Sequence, residues 1–224
     1  MIRTFAVTAL AALGWSLPAG GAIQYIQFES IPASDALQLA PWEESGFLFS
    51  APKAPGVVNG GGYLFRDSAL IVPNPTPGYF EPPVNDSKYI ASFTGSQALF
   101  RSADGTPFRL FSLDLAEYSS ANAAPTPVTV TGTRAGGTTI STVLTLDGHV
   151  DALPDPPDFQ TFTFGSGWTN LSQVTFLANY PPYGNLVVGI SFDNFAVEPI
   201  PEPNLWPALL ALLPFRRHWA VRKG

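Results

Sequence analysis

Beyond its first two dozen residues, the chain alternates apolar and polar positions and shows little of the three-to-four spacing of an amphipathic helix. "IQYIQFE" (Ile23 to Glu29) alternates, and "GFLFS" (Gly46 to Ser50) and "GYLFR" (Gly62 to Arg66) are short β-rich runs beside glycines. "KYIASF" and "QALFRS" flank a turn at Thr94-Gly95-Ser96. In "FRLFSLDLAEY" (Phe108 to Tyr118) the period-two pattern sends Phe111, Leu113 and Leu115 to one face and Ser112 and Asp114 to the other. The second half continues with "VTVTGT" (Val128 to Thr133), "ISTVLTL" (Ile140 to Leu146), "FQTFTF" (Phe159 to Phe164), "LSQVTFLA" (Leu171 to Ala178) and "LVVGISF" (Leu186 to Phe192). Turn residues separate them at Ala135-Gly136-Gly137, Asp147-Gly148, Gly165-Ser166-Gly167 and Gly184-Asn185. Short strands at this spacing predict an all-β fold, an antiparallel sandwich or barrel. The lack of helical stretches between the strands argues against a parallel α/β fold. No period repeats along the chain, which argues against a solenoid. The proline-rich stretch from Val72 to Asp86 reads as a long loop inside one domain, because what precedes it is too small to fold alone.

The ends depart from this pattern. Arg3 precedes an apolar run from Phe5 to Leu17; Pro18 breaks the run, and small residues follow at Gly20 and Ala22. That order predicts a secretory signal helix over residues 1–22, cleaved after Ala22, and a body of 23–197. At the other end, 198–224 combines Pro201-Glu202-Pro203, an apolar run from Leu205 to Phe215 interrupted by Pro207 and Pro214, and a basic end. The run predicts a short hydrophobic helix. It falls short of the roughly 20 apolar residues of a full membrane span, and the basic residues after it would stay on the cytoplasmic side with the body outside.

Pro201, Glu202 and Pro203, the apolar run, and Arg216 and Arg217 resemble the PEP-CTERM sorting signal of exported bacterial proteins. The resemblance covers about the last two dozen residues. It implies processing near the tripeptide by an exosortase-type enzyme, transient membrane contact through the tail, and a destination in the cell envelope or outside the cell, commonly in Gram-negative bacteria that make extracellular polysaccharide. The short run and its two prolines depart from the usual pattern. A looser resemblance spans Phe108 to Val197: "FRLFSLDLAEY", "VTVTGTRAGG", "FQTFTFGSGWTNLSQVTF" and "ISFDNFAV" are similar to PEP-CTERM bodies that look like jelly-roll domains of the carbohydrate-binding-module or galactose-binding type. It implies a jelly-roll-like sandwich and, as a pattern of strands and turns, no particular activity.

Charge and composition narrow the function. The formal net charge is −6 over 224 residues. Five of the eleven basic residues, Arg3, Arg216, Arg217, Arg222 and Lys223, lie in the two ends, so the body is more acidic than the total. A body without a basic stripe is a poor nucleic-acid partner. The chain contains no cysteine, which excludes disulfides and thiolate metal sites. His149 is the body's single histidine, and no Gly-x-Ser-x-Gly elbow accompanies it, so a Ser-His-Asp hydrolase has no support and no catalytic residue is assigned. Zinc lacks its usual ligands. Asp151, Asp155 and Asp158 share one proline-rich segment and read first as a solvated acidic loop.

Two candidate sites remain. Glu29 ends the first predicted strand and Asp193-Asn194 interrupts the last. The jelly-roll resemblance implies that first and last strands neighbour each other and that carboxylates there can hold a structural calcium, with further oxygens required beside Glu29, Asp193 and Asn194. The second site is aromatic: Trp42, Trp168, Tyr180 and Tyr183, read as loop residues, offer flat rings near polar groups for a sugar, or else they plug the ends of the sandwich. The expectation is therefore an exported, non-enzymatic envelope or matrix protein that binds polysaccharide or acts structurally, with no cofactor beyond that calcium. The alternative is a secreted carbohydrate-active enzyme on the same frame, marked by a groove with two facing carboxylates.

Overall fold

The computed structural model describes residues 21–32, 37–54, 61–68, 83, 86–93, 96–118, 125–148, 159–178 and 189–201. Twelve strands form among them: β1 (Gln24–Ile26), β2 (Trp42–Glu44), β3 (Phe47–Ser50), β4 (Tyr63–Asp67), β5 (Lys88–Phe93), β6 (Ala98–Ser102), β7 (Phe108–Glu117), β8 (Thr126–Arg134), β9 (Thr139–Leu146), β10 (Gln160–Thr163), β11 (Leu171–Ala178) and β12 (Gly189–Pro199). Every pairing is antiparallel. One half of the sheet runs β9-β8-β11-β6-β3-β2 and the other β10-β7-β12-β5-β4, and they join where Leu171 of β11 meets Phe108 of β7. The sheet curls until its halves face each other, which gives an antiparallel β-sandwich, one of the two forms the strand pattern predicts and of the jelly-roll-like kind the resemblance implies. The expected helical flanks lie outside the described residues, as do His149 and the aspartates at 151, 155 and 158. The strands on either side of the proline-rich stretch, β4 and β5, pair with each other.

The core is aromatic. Phe100 of one half stacks on Phe195 of the other at 4.4 Å, and Phe176 meets Phe192 edge-on at 5.1 Å. Phe49 touches Phe28, Tyr63 and Phe192. Rings close an inter-sheet gap with large area per side chain, and edge-to-face pairs add to the burial.

Two expectations about individual strands need correction. Phe111 does not share a face with Leu113 and Leu115. Phe108 and Leu110 point into the core, Leu113 and Leu115 do so after a three-residue step, and Phe111 is half-buried under the Arg109 guanidinium at 4.2 Å. A register shift opposite this step, between Ala196 and Val197, marks the extra residue as a β-bulge. Glu29 does not end the first strand. β1 stops at Ile26, Phe28 takes φ 57°, and the Ile31 amide donates to the Phe28 carbonyl, so Glu29 lies in a turn. Burial of the Phe28 ring against Phe49 and Phe195 offsets its left-handed backbone.

Tyr63 carries a pH dependence. Its hydroxyl donates to the Ala40 carbonyl at 2.6 Å, and burial pushes its pKa from 10.0 up to about 12. The unfolded tyrosine releases its proton first, so this stability is complete below pH 10 and is lost as pH rises towards about 12. Tyr63→Phe is expected to remove one tyrosine from the late part of the tyrosinate absorbance curve in an alkaline titration. A late part unchanged by Tyr63→Phe would contradict this assignment.

Candidate functional site

The predicted cation site falls at a seam in the sheet. One edge of β12 pairs with β5 over Gly189 to Phe192, then with β1 over Phe195 to Val197. First and last strands do neighbour each other. Asp193 and Asn194 lie where the partner changes, at a register shift, with Asn194 at φ 48°. Asp193 is fully buried. Its Oδ2 accepts from the Ser87 hydroxyl at 2.6 Å and its Oδ1 from the Asn194 amide at 2.7 Å. The Asn194 side chain donates from Nδ2 to Asp114 Oδ2 at 2.8 Å and accepts from Gln27 at 3.1 Å. Asp114, which the register sets opposite Asp193, also accepts from the Thr161 hydroxyl at 2.6 Å.

Glu29 reaches the same region through the next residue along. The Lys88 amide donates to Glu29 Oε1 at 3.3 Å, and Lys88 Nζ donates to the carbonyls of Glu29 and Ile31 at 3.1 Å each. The ammonium thus supplies positive charge at those carbonyl oxygens. Among the described residues no group of three His, Cys, Asp or Glu is arranged to hold a metal ion. A calcium ion at the seam would have to displace the hydrogen bonds to Asp193 and Asp114, since calcium takes six to eight oxygens.

The seam has a structural task. Phe192 and Phe195 are three residues apart and both point into the core, which simple alternation forbids. The bulge at Asp193-Asn194 supplies the missing step, and the Asp193 carboxylate holds the Asn194 amide that the bulge frees. The polar face of β7 already offered Asp114 as a neighbour; Gln27, Ser87 and Thr161 gave no signal in the sequence.

Of the proposed aromatic platform, Trp42 and Trp168 lie among the described residues. Tyr180 and Tyr183 lie outside the described residues. Trp168 is 6% exposed and packs on Phe164 at 4.6 Å, which makes it part of the core and leaves no face for a sugar. Trp42 belongs to β2, not to a loop; it is half-buried, and its ring meets Phe65 edge-on at 5.0 Å.

A cleft of about 310 Å³ opens at the end of the sandwich where β1 begins and β12 ends. The β2–β3 turn forms one wall, with Ser45 at φ 52° and Gly46 at φ 78°, the paired left-handed residues of a tight hairpin. The β6–β7 loop forms another, tied to that turn by the Ala103 amide donating to the Gly46 carbonyl at 2.8 Å. Asp104 Oδ1 accepts from the Ser102 hydroxyl at 2.6 Å and the Thr106 amide at 2.8 Å, and these bonds hold its pKa below the usual carboxylate value. The described residues also begin and end here. Gly21 lies against the Pro199 carbonyl, and Gln24 pairs with Val197.

No protein-family model matches the sequence, and no curated protein does. In structure the chain is similar to a DUF4465 family protein from Bacteroides caccae, at a TM-score of 0.48 and 16% identity, over 83% of this chain and 96% of that one. It is also similar to the K2 cleaved adhesin domain of Lys-gingipain, at 0.39 and 18%, over 79% and 98%. A third similarity, to the enzymatically active domain of tailspike protein 4 of bacteriophage CBA120, has a TM-score of 0.30 at 12% identity and covers 68% of this chain but 19% of that one.

Proposed function

We propose that this chain is an exported protein of the cell envelope or extracellular matrix. Its leader and PEP-CTERM-like tail are removed, and its sandwich binds polysaccharide or packs within the matrix without catalysing a reaction. The supporting observation is where the sandwich stops. β1 begins at Gln24, two residues after the expected cut at Ala22. At the other end β12 closes at Pro199, the Ile200 amide donates to the Pro107 carbonyl at 2.7 Å, and Pro201 opens the tripeptide. Cuts at both places would remove the addresses and leave every strand and its ladder whole. Because Gly21 and Pro199 lie side by side, a body held by leader or tail would face the membrane with the same pole. Glu202, Pro203, Arg216 and Arg217 lie outside the described residues.

The intact mass of protein recovered from envelope and medium of its own host tests this. The expected species lacks residues 1–22 and ends near the Pro201 tripeptide, and deleting the exosortase should leave the tail in place. A protein that keeps its tail in the unmodified host would end the sorting reading.

A further inference from the structure

We propose that the cleft between the β2–β3 turn and the β6–β7 loop is a binding site for a neutral polysaccharide, gripped through adjacent hydroxyls of one sugar residue. The inference deepens the polysaccharide-binding reading above and rests on it, while moving the site away from the aromatic residues.

The chemistry of the lining selects the ligand. Glu43 and Asp104 bring two carboxylates, Ser45, Ser102 and Thr106 bring hydroxyls, and Gln24 brings an amide. Among the described residues no Lys or Arg lines the cleft. Anionic sugars such as uronates would meet like charge, whereas a neutral sugar offers hydroxyl donors to the carboxylates and acceptors to the amide and hydroxyls. Hydrogen bonds to carboxylates are the stronger kind. Asp104 is already oriented by Ser102 and Thr106, so less ordering is required when a ligand arrives. Pro199 and Phe47 add apolar residues to the lining. The volume lies at the lower end of small-ligand sites, about 300–1,000 Å³, and the cleft is open on one side, which suits one residue of a longer chain.

The same geometry favours binding over hydrolysis. A glycosidase needs one carboxyl kept protonated by an apolar setting. Asp104 is exposed and stabilised in its ionised form, and Glu43 is exposed to water.

Titration calorimetry on the full-length chain in mild detergent tests the site, with gluco-, manno-, galacto- and xylo-oligosaccharides as probes and oligogalacturonate as the anionic control. At least one neutral probe is expected to bind and the control is not. Glu43→Gln and Asp104→Asn, each keeping its shape and the wild-type melting temperature, should each weaken binding at least tenfold. Neutral probes bound equally by wild type and both variants would overturn the cleft while leaving polysaccharide binding intact elsewhere on the body. No neutral probe bound would overturn the cleft and the polysaccharide-binding reading together, and would leave the body packing within the matrix. Calcium binding lost in Asp104→Asn without any sugar binding would make the cleft a cation site, and shortening of a probe would make it hydrolytic; either result overturns the proposal.

Discussion

Replacing Phe195 by alanine is expected to cost about 4 kcal/mol, within the range for removing a buried aromatic ring. Phe195 is fully buried, stacks on Phe100 at 4.4 Å and meets Phe28, Phe176 and Phe192 at 6.0 to 6.2 Å. These rings come from both halves of the sheet and from the turn after β1, so the cavity would open where three parts of the chain converge. In a domain of this size the loss lowers the melting temperature by about 8–16 °C. Val143→Ala is the control: Val143 is 59% exposed on edge strand β9, and its truncation should stay within about 0.5 kcal/mol. Thermal and urea melts followed by circular dichroism read both. Equal effects for the two variants would mean that the halves of the sandwich are not held by this cluster.

The second large effect is expected at Asp193, where alanine should cost about 3 kcal/mol by removing a fully buried carboxylate that holds two half-buried donors. The Ser87 hydroxyl and the Asn194 amide lose the Asp193 acceptor together. The bulge they hold keeps Phe192 and Phe195 on the same face, so part of the loss reaches the core. Asp193→Asn keeps an acceptor for the Asn194 amide, and the Ser87 hydroxyl can rotate to meet the new amide group, so a smaller loss of about 1 kcal/mol is expected. Chelation with EDTA is expected to leave the wild-type melt unchanged, because the seam is closed by hydrogen bonds and by Lys88. A melting temperature that falls on chelation and recovers with added calcium would return the seam to a metal site.

These two positions mark the limit of strand-pattern reading. β5 and β11 have the residues that alternation and turn chemistry predict, and β6 to β10 depart by only a few residues at their ends. The Trp42–Glu44 strand escaped notice because its three residues alternate too briefly, although the Ser45-Gly46 turn behind it is a hairpin signal. A bulge is invisible to period-two counting by its nature: it inserts a residue and reverses the phase. Phe111 was therefore assigned to the wrong face. On β12 the same device made Asp193-Asn194 look like an interruption, although the strand continues to Pro199.

Local sequence thus determined what each segment can be. β-branched and aromatic residues in alternation favour strands, glycine and asparagine favour turns, and an acidic body without cysteine bars disulfides and thiolate metal sites. Tertiary structure decided which segments meet. Ser87 reaches Asp193 across 106 positions and Gln27 reaches Asn194 across 167, and no local propensity encodes such contacts. The cleft arises in the same way, from a hairpin turn, a loop and two strand ends that become neighbours only when the sheet curls. Burial then separated the remaining candidates: Trp168 is core because Phe164 and the sheet cover it, whereas Glu43 and Asp104 stay exposed at the water's edge.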